Sequence, residues 1–202
     1  MKPEIILASA SPRRSELLSQ VGYSFRVMPA RGEEVMQGNT PEEIVQNLAA
    51  GKAKEVADRL QEKGICLEST MLFIGADTVV TADGKILGKP KDEADAFSML
   101  TRIQGNSHEV STGVCLLEVA EDGSRKTETF AQTTRVDVYP MTEEEIRAYI
   151  KTKDPMDKAG AYGIQGAFAA YIRGIEGDYN NVVGLPVGLL CQKLRERDMK
   201  PE

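Results

Sequence analysis

Two hydrophobic periods alternate along the chain, and the switches between them mark the elements. "EIILAS" (4–9) is a short continuous apolar run, the pattern of a buried strand. "SPRRSELLSQVG" follows with helical spacing; Ser11 is placed as N-cap, Pro12 at the first helical position and Gly22 at the stop. "YSFRVMP" alternates with period two and predicts a second strand. Residues 30–39 are polar and contain glycine, as a loop does. Thr40 then opens a long helix, "TPEEIVQNLAAGKAKEVADRLQEKG", with proline first and acids in the first turn. At about 100° per residue, Ile44, Val45, Leu48, Ala49, Val56 and Leu60 share one face. Lys52 falls inside that apolar arc, whereas Lys54 falls outside it.

"MLFIGADTVV" is the most apolar strand pattern in the chain. "ADGK" after it is a hairpin-type turn leading to "ILGKP". A helix is predicted over "DEADAFSMLTRIQG", stopped at Gly105. "HEVSTGVCLLEVA" and "RKTETFAQTTRVDVYP" flank "EDGS" as a long antiparallel hairpin. "TEEEIRAYIKTK" opens with a capping box, Thr142 and Glu145. The glycine-rich stretch 154–186 holds a loop and a strand, and "VGLLCQKLRER" closes the pattern as a helix. Strands and helices mix, a hairpin lies between helices, and no internal repeat or linker interrupts the 202 residues. The expectation is one α/β domain over 1–202 with a mixed sheet.

Charge narrows the partners. The net charge is −6, which argues against a nucleic-acid polymer or a membrane surface. It leaves room for a small phosphorylated ligand, which needs only a local basic cluster. Cys66, Cys115 and Cys191 are odd in number and match no metal spacing, so reduced thiols in a cytoplasmic protein are expected. No apolar run approaches membrane-spanning length.

The chemistry-bearing candidates gather at a few places. At Ser9–Arg14 a strand end meets a helix start, where free backbone N–H groups and the positive end of the helix dipole favour an anion. Arg13 and Arg14 there oppose the dipole, a cost that a bound phosphate would offset. Read plainly, they are equally a solvated pair on an exposed first turn. Asp77 closes the run "MLFIGA", at or near the carboxyl end of a central strand, where open α/β sheets place ligands. Its carboxylate can act as a general base, hold a divalent cation or cap a turn. Thr78 faces away from it if the strand continues and shares its cleft if the strand ends. Lys52 must snorkel or meet an anion; Lys89, in "LGKP", has the pattern of a solvated lysine. In "DKAGAYGIQG" three glycines permit close backbone approach, and Gln165 offers an amide to a base edge. His108 reads as a surface residue at a strand start, which leaves histidine-dependent nucleophilic mechanisms without support.

Taken in order, "LASASPRR", "GADTVV", "LGKP", "MDKAGAYGIQG" and "NVVGLP" resemble the Maf, or septum-formation-protein, family of nucleoside triphosphate pyrophosphatases. "AGAYGIQG" resembles the subgroup acting on dTTP and UTP. The resemblance implies a mixed α/β fold of two lobes around a deep cleft, related to the inosine triphosphatase architecture. It implies hydrolysis of a nucleoside triphosphate to the monophosphate and pyrophosphate, with Mg²⁺ or Mn²⁺ as cofactor, and a possible homodimer. By position, Asp77 matches the proton acceptor, and Arg13, Thr78 and Gln165 the specificity positions. Ser9, Arg14, Glu33, Lys52 and Lys89 match other cleft residues, with Glu33 (or its neighbour Glu34) and Asp77 at the metal. The septum-formation name leaves a second reading, a nucleotide-binding regulator of cell division with an inherited enzyme cleft. A third is the same chemistry on another base.

Overall fold

Seven strands and six α-helices form among the described residues, which in this computed structural model are 3–32, 34–62 and 69–201. In chain order they are β1 (Glu4–Leu7), α1 (Pro12–Gln20), β2 (Arg26–Val27), α2 (Pro41–Glu62) and β3 (Met71–Ala82). β4 (Lys85–Leu87), α3 (Glu93–Ile103), β5 (Ser107–Val119), β6 (Arg125–Val138) and α4 (Glu143–Lys151) follow. Three 3₁₀ turns lead to β7 (Ile172–Glu176), α5 (Tyr179–Val183) and α6 (Val187–Arg195). The strand order is β2-β1-β3-β5-β6-β7, with β4 beside β3. β1 pairs parallel with β2 and β3, while β3–β4 and β6–β7 are antiparallel, so the sheet is mixed.

The chain divides into two compact units. Unit 1 comprises Met1–Asp77, Thr112–Gln132 and Gly184–Glu202; unit 2 comprises Thr78–Ser111 and Thr133–Val183. In unit 1, β1 is buried on both faces, as expected for a strand with parallel neighbours. Ile6 and Phe73 are paired in register and join Ala49, Ala53, Val56 and Leu60 of α2 in one apolar cluster. Two glycines let α2 lie against its strands. A Cβ on Gly75 would stand 2.0 Å from the Ala49 carbonyl oxygen, and one on Gly113 2.3 Å from the Val45 carbonyl carbon. Any side chain at either position would push the helix off the sheet.

Local signals place most elements well. Thr40 accepts from the Glu43 N–H at 3.2 Å, and the Thr142–Glu145 capping box is complete. Asp83 and Gly84 both take positive φ, 50° and 69°, the conformation of a tight hairpin turn between β3 and β4. Ser11 is the N-cap of α1 by position, but its side chain makes no capping bond. "YSFRVMP" yields only a two-residue strand; β2 lies at the sheet edge with both residues exposed, while Tyr23 turns in and donates its hydroxyl to the Met199 carbonyl at 3.1 Å.

In unit 2 the expectation for His108 is overturned. It is 3 % exposed and its Nε2 lies 2.7 Å from the Tyr162 hydroxyl. Strand alternation in β5 turns His108 and Val110 inward and Glu109 outward. Burial drives its pKa down from 6.5 to about 4, with Asp137 opposing weakly. Between those values the unfolded chain binds a proton that the folded chain does not, so stability falls as pH drops through that window. The imidazole's share of that loss is about 3 kcal/mol. Urea melts at steps from pH 7 to 4 should show it, and His108→Asn should flatten that part of the profile.

Cys115 is buried and Cys191 half-buried, and neither is in a disulfide; Cys66 lies outside the described residues. Among the described residues no helix is long and apolar enough to cross a membrane.

Candidate functional site

The candidate site of unit 1 starts where β1 ends. The ladder continues to Ala8, whose N–H donates to the Ile74 carbonyl at 2.8 Å, and the chain then turns at Ser9 into α1. Helix periodicity separates the two arginines. Arg13 is half-buried on the flank of the first turn, and Arg14 is directed inward at 9 % exposure. Arg14 donates from Nε to the Gly184 carbonyl at 2.8 Å and from Nη1 to Ser9 Oγ at 3.1 Å. Ser9 Oγ also accepts the Ser11 N–H at 3.2 Å, so one hydroxyl ties the loop to the guanidinium. Arg14 is therefore not a solvated arginine. Burial lowers its pKa, Asp77 opposes that, Arg13 adds to it and Glu34 opposes. A buried, oriented guanidinium with a second arginine beside it can take an anion in a fixed direction.

Asp77 lies across from α2. The strand does not end there, as the sequence suggested; it runs on to Ala82 and leaves Asp77 mid-strand. Alternation puts Asp77 on the face of Gly75 and Phe73, toward α2, and Thr78 on the opposite face. Lys52, one helical turn on from Leu48 and Ala49, reaches that face. Its ammonium donates to Asp77 Oδ1 and pairs with Glu34 Oε1 at 2.9 Å. The lysine in the apolar arc has met anions, and their side chains differ in exposure: 12 % for Asp77 and 52 % for Glu34.

The structure thus joins Ser9 to Arg14 and Lys52 to Asp77, and sets Arg14 in the field of Asp77. Glu33 lies outside the described residues. Glu34, which sequence reasoning held only as an alternative, is an observed partner of Lys52. The Gly184 carbonyl, in "NVVGLP", accepts from Arg14 across 170 residues, a separation over which no sequence signal names the partner.

Thr78, Lys89 and Gln165 belong to unit 2. There the Gly160 N–H donates to the Gly88 carbonyl at 3.0 Å, which brings "LGKP" beside "AGAYGIQG". Lys89 is exposed. Gln165 is exposed on a tight turn closed by the Gly166 N–H on the Gly163 carbonyl at 3.1 Å, with Ile164 buried beneath it.

The donor set bears on a metal. Among the described residues no group of three or more His, Cys, Asp or Glu side chains is placed to hold one. Asp77 and Glu34, gathered on Lys52, are two carboxylates. That set fits Mg²⁺, which takes one or two carboxylates together with phosphate oxygens and water rather than an all-protein cage.

A mixed-sheet α/β protein with a buried arginine at a strand-to-helix junction, beside a lysine-held carboxylate, has the parts of a phosphate-handling site. The chain belongs to the family of Maf-like proteins, whose family model matches residues 4–197. It is 51 % identical to a dTTP/UTP pyrophosphatase of Agathobacter rectalis over 96 % of this chain and 97 % of that protein. It is 45 % identical to a dTTP/UTP pyrophosphatase of Carboxydothermus hydrogenoformans over 96 % of this chain and 98 % of that one. A solved nucleoside-triphosphatase (dITP/XTP pyrophosphatase) of Mycobacterium abscessus matches at 14 % identity and a TM-score of 0.45, covering 96 % of this chain and 97 % of the other.

Proposed function

We propose that this protein hydrolyses dTTP and UTP at the anhydride between the α- and β-phosphates, releasing the nucleoside monophosphate and pyrophosphate. The observation that carries the reading is the ammonium of Lys52 held between Asp77 and Glu34, in the same unit as the buried guanidinium of Arg14. The names of the relatives at 51 % and 45 % identity point the same way.

Arg14 and Arg13 bind phosphate oxygens, with Ser9 and the Gly184 carbonyl fixing the Arg14 plane. Lys52 neutralises charge that develops on the phosphates and orients the Asp77 carboxylate. Asp77 accepts the proton of the attacking water. Asp77 and Glu34 would also hold a divalent cation, Mg²⁺ or Mn²⁺, which supplies further charge neutralisation at the phosphates. Unit 2 offers an exposed ammonium at Lys89, suited to phosphate, and an exposed amide at Gln165, suited to a pyrimidine edge. Thr78, on the face of β3 opposite Asp77, is assigned with Arg13 and Gln165 to substrate selection by the family resemblance alone.

The test is a panel of dTTP, UTP, CTP, dATP and dGTP with Mg²⁺, with products identified by ion-exchange chromatography. dTTP and UTP should give the highest kcat/KM, with monophosphate and pyrophosphate in equal amounts. Release of orthophosphate as the first product, or no turnover of any nucleotide, would refute the reading.

A further inference from the structure

The turn that carries Gln165 rests on a cluster that the mechanism above does not use. Tyr149 projects from α4, buried together with Ile146 and Ile150 on the helix's inner face. Its hydroxyl donates to Asp154 Oδ2 at 2.6 Å and accepts the Gly163 N–H at 3.1 Å. Asp154 is anchored in turn, because Lys158 Nζ lies 3.1 Å from its Oδ1 and donates to its backbone carbonyl at 2.6 Å. The turn closes directly onto this group. A Cβ on Gly163 would stand 2.7 Å from Lys158 Cε, and one on Gly166 would stand 2.9 Å from Asp154 Oδ2. Glycine at both ends lets the turn settle onto the ion pair. From the other side, Tyr162 packs on Phe168 with ring centroids 4.7 Å apart and is held by His108.

We infer that Tyr149 and Asp154 are positioning residues for Gln165, fixing the turn 163–166 and, through it, the choice of base. The inference rests on the proposed role of Gln165 as the reader of the pyrimidine. Neither side chain needs to touch substrate. The Gly163 N–H bonded to Tyr149 begins the turn, and Ile164 buried beneath it sets its depth. An amide that reads a base edge discriminates only if its backbone is held, since a misplacement of about 1 Å can cost a hundredfold. Tyr149 suits this role because its hydroxyl is both donor and acceptor, linking a carboxylate on one side to a backbone amide on the other.

Tyr149→Phe removes the hydroxyl and keeps the ring, whose centroid is 5.2 Å from that of Phe168. In the full chain, the UTP-to-CTP ratio of kcat/KM should fall about tenfold, mostly through a higher KM for UTP. Inhibition by inorganic tripolyphosphate should stay within about twofold, because it engages phosphate-binding groups alone. Hydrogen exchange in a peptide covering 159–166 should quicken by on the order of tenfold without substrate. Asp154→Asn, nearly isosteric, should act in the same direction if Tyr149→Phe does not fold. Unchanged exchange overturns the inference, as does an unchanged base ratio while Gln165→Ala shifts it. If exchange quickens but Gln165→Ala itself leaves the ratio unmoved, Gln165 does not read the base and the inference falls with that reading.

Discussion

Asp77→Asn should reduce kcat for dTTP by about a thousandfold while the protein stays folded. The carboxylate lies mid-strand in β3, 9 % exposed, with Oδ1 held by Lys52. Asparagine has the same shape and can still accept from the ammonium, but it cannot take a proton from water. The loss should appear in kcat more than in KM, because a proton acceptor acts in the transition state rather than in substrate binding. The melting temperature should move by no more than about 3 °C, since shape and one hydrogen bond remain and Lys52 keeps Glu34 as its counter-ion. Steady-state kinetics with pyrophosphate detection, together with calorimetry on the same sample, checks both. Turnover within about tenfold of the parent would remove Asp77 from the proton-accepting role.

Lys52→Met should damage both stability and activity, and a second substitution should separate the two. Methionine keeps an unbranched stem of similar length in the apolar arc of α2, where Ala49 and Val56 are its neighbours at i−3 and i+4. The change removes the cation shared by Asp77 and Glu34 and leaves Asp77, at 12 % side-chain exposure, without that partner. Taking one member from a mostly buried pair costs about 3 kcal/mol, which for a chain of this size is a fall of roughly 6–12 °C. kcat/KM should drop by on the order of a hundredfold as phosphate charge loses its counter-ion. Adding Asp77→Asn to Lys52→Met removes the stranded charge, so at least half of the lost melting temperature should return, with no return of activity. Additive losses in the double variant would show that the pair is not coupled.

Exposure decides how much each ion pair matters. Arg147–Glu143 and Lys153–Glu93 lie on the surface, with side chains more than half exposed, and pairs of that kind contribute little. Lys52–Asp77 and Arg14–Ser9–Gly184 are enclosed, so their geometry is fixed before any ligand arrives. Such preorganisation is what electrostatic stabilisation of a phosphoryl transition state requires.

The order of the longer elements, most of their helix boundaries and the motif set are legible in the sequence, but the short helix α5 is not, since Tyr179–Val183 lies in a glycine-rich stretch read as a loop and a strand. Caps at Thr40 and Thr142, proline at helix starts and the Asp83–Gly84 turn act over a few residues, and local chemistry decides them. The sequence also singled out Lys52, because a charge in an apolar helical stripe must find a partner or bend away. It could not name that partner. Lys52 and Asp77 are 25 residues apart, and Arg14 and Gly184 are 170 apart. Sheet register and helix approach decide such contacts, including the clearance that Gly75 and Gly113 give α2. Tertiary structure likewise carried β3 past Asp77, turned His108 inward and seated the Gln165 turn on Asp154. In each case the residue's type was legible, but its direction was not. A strand presents alternate residues to opposite faces, and which face is the core is settled only when distant segments pack.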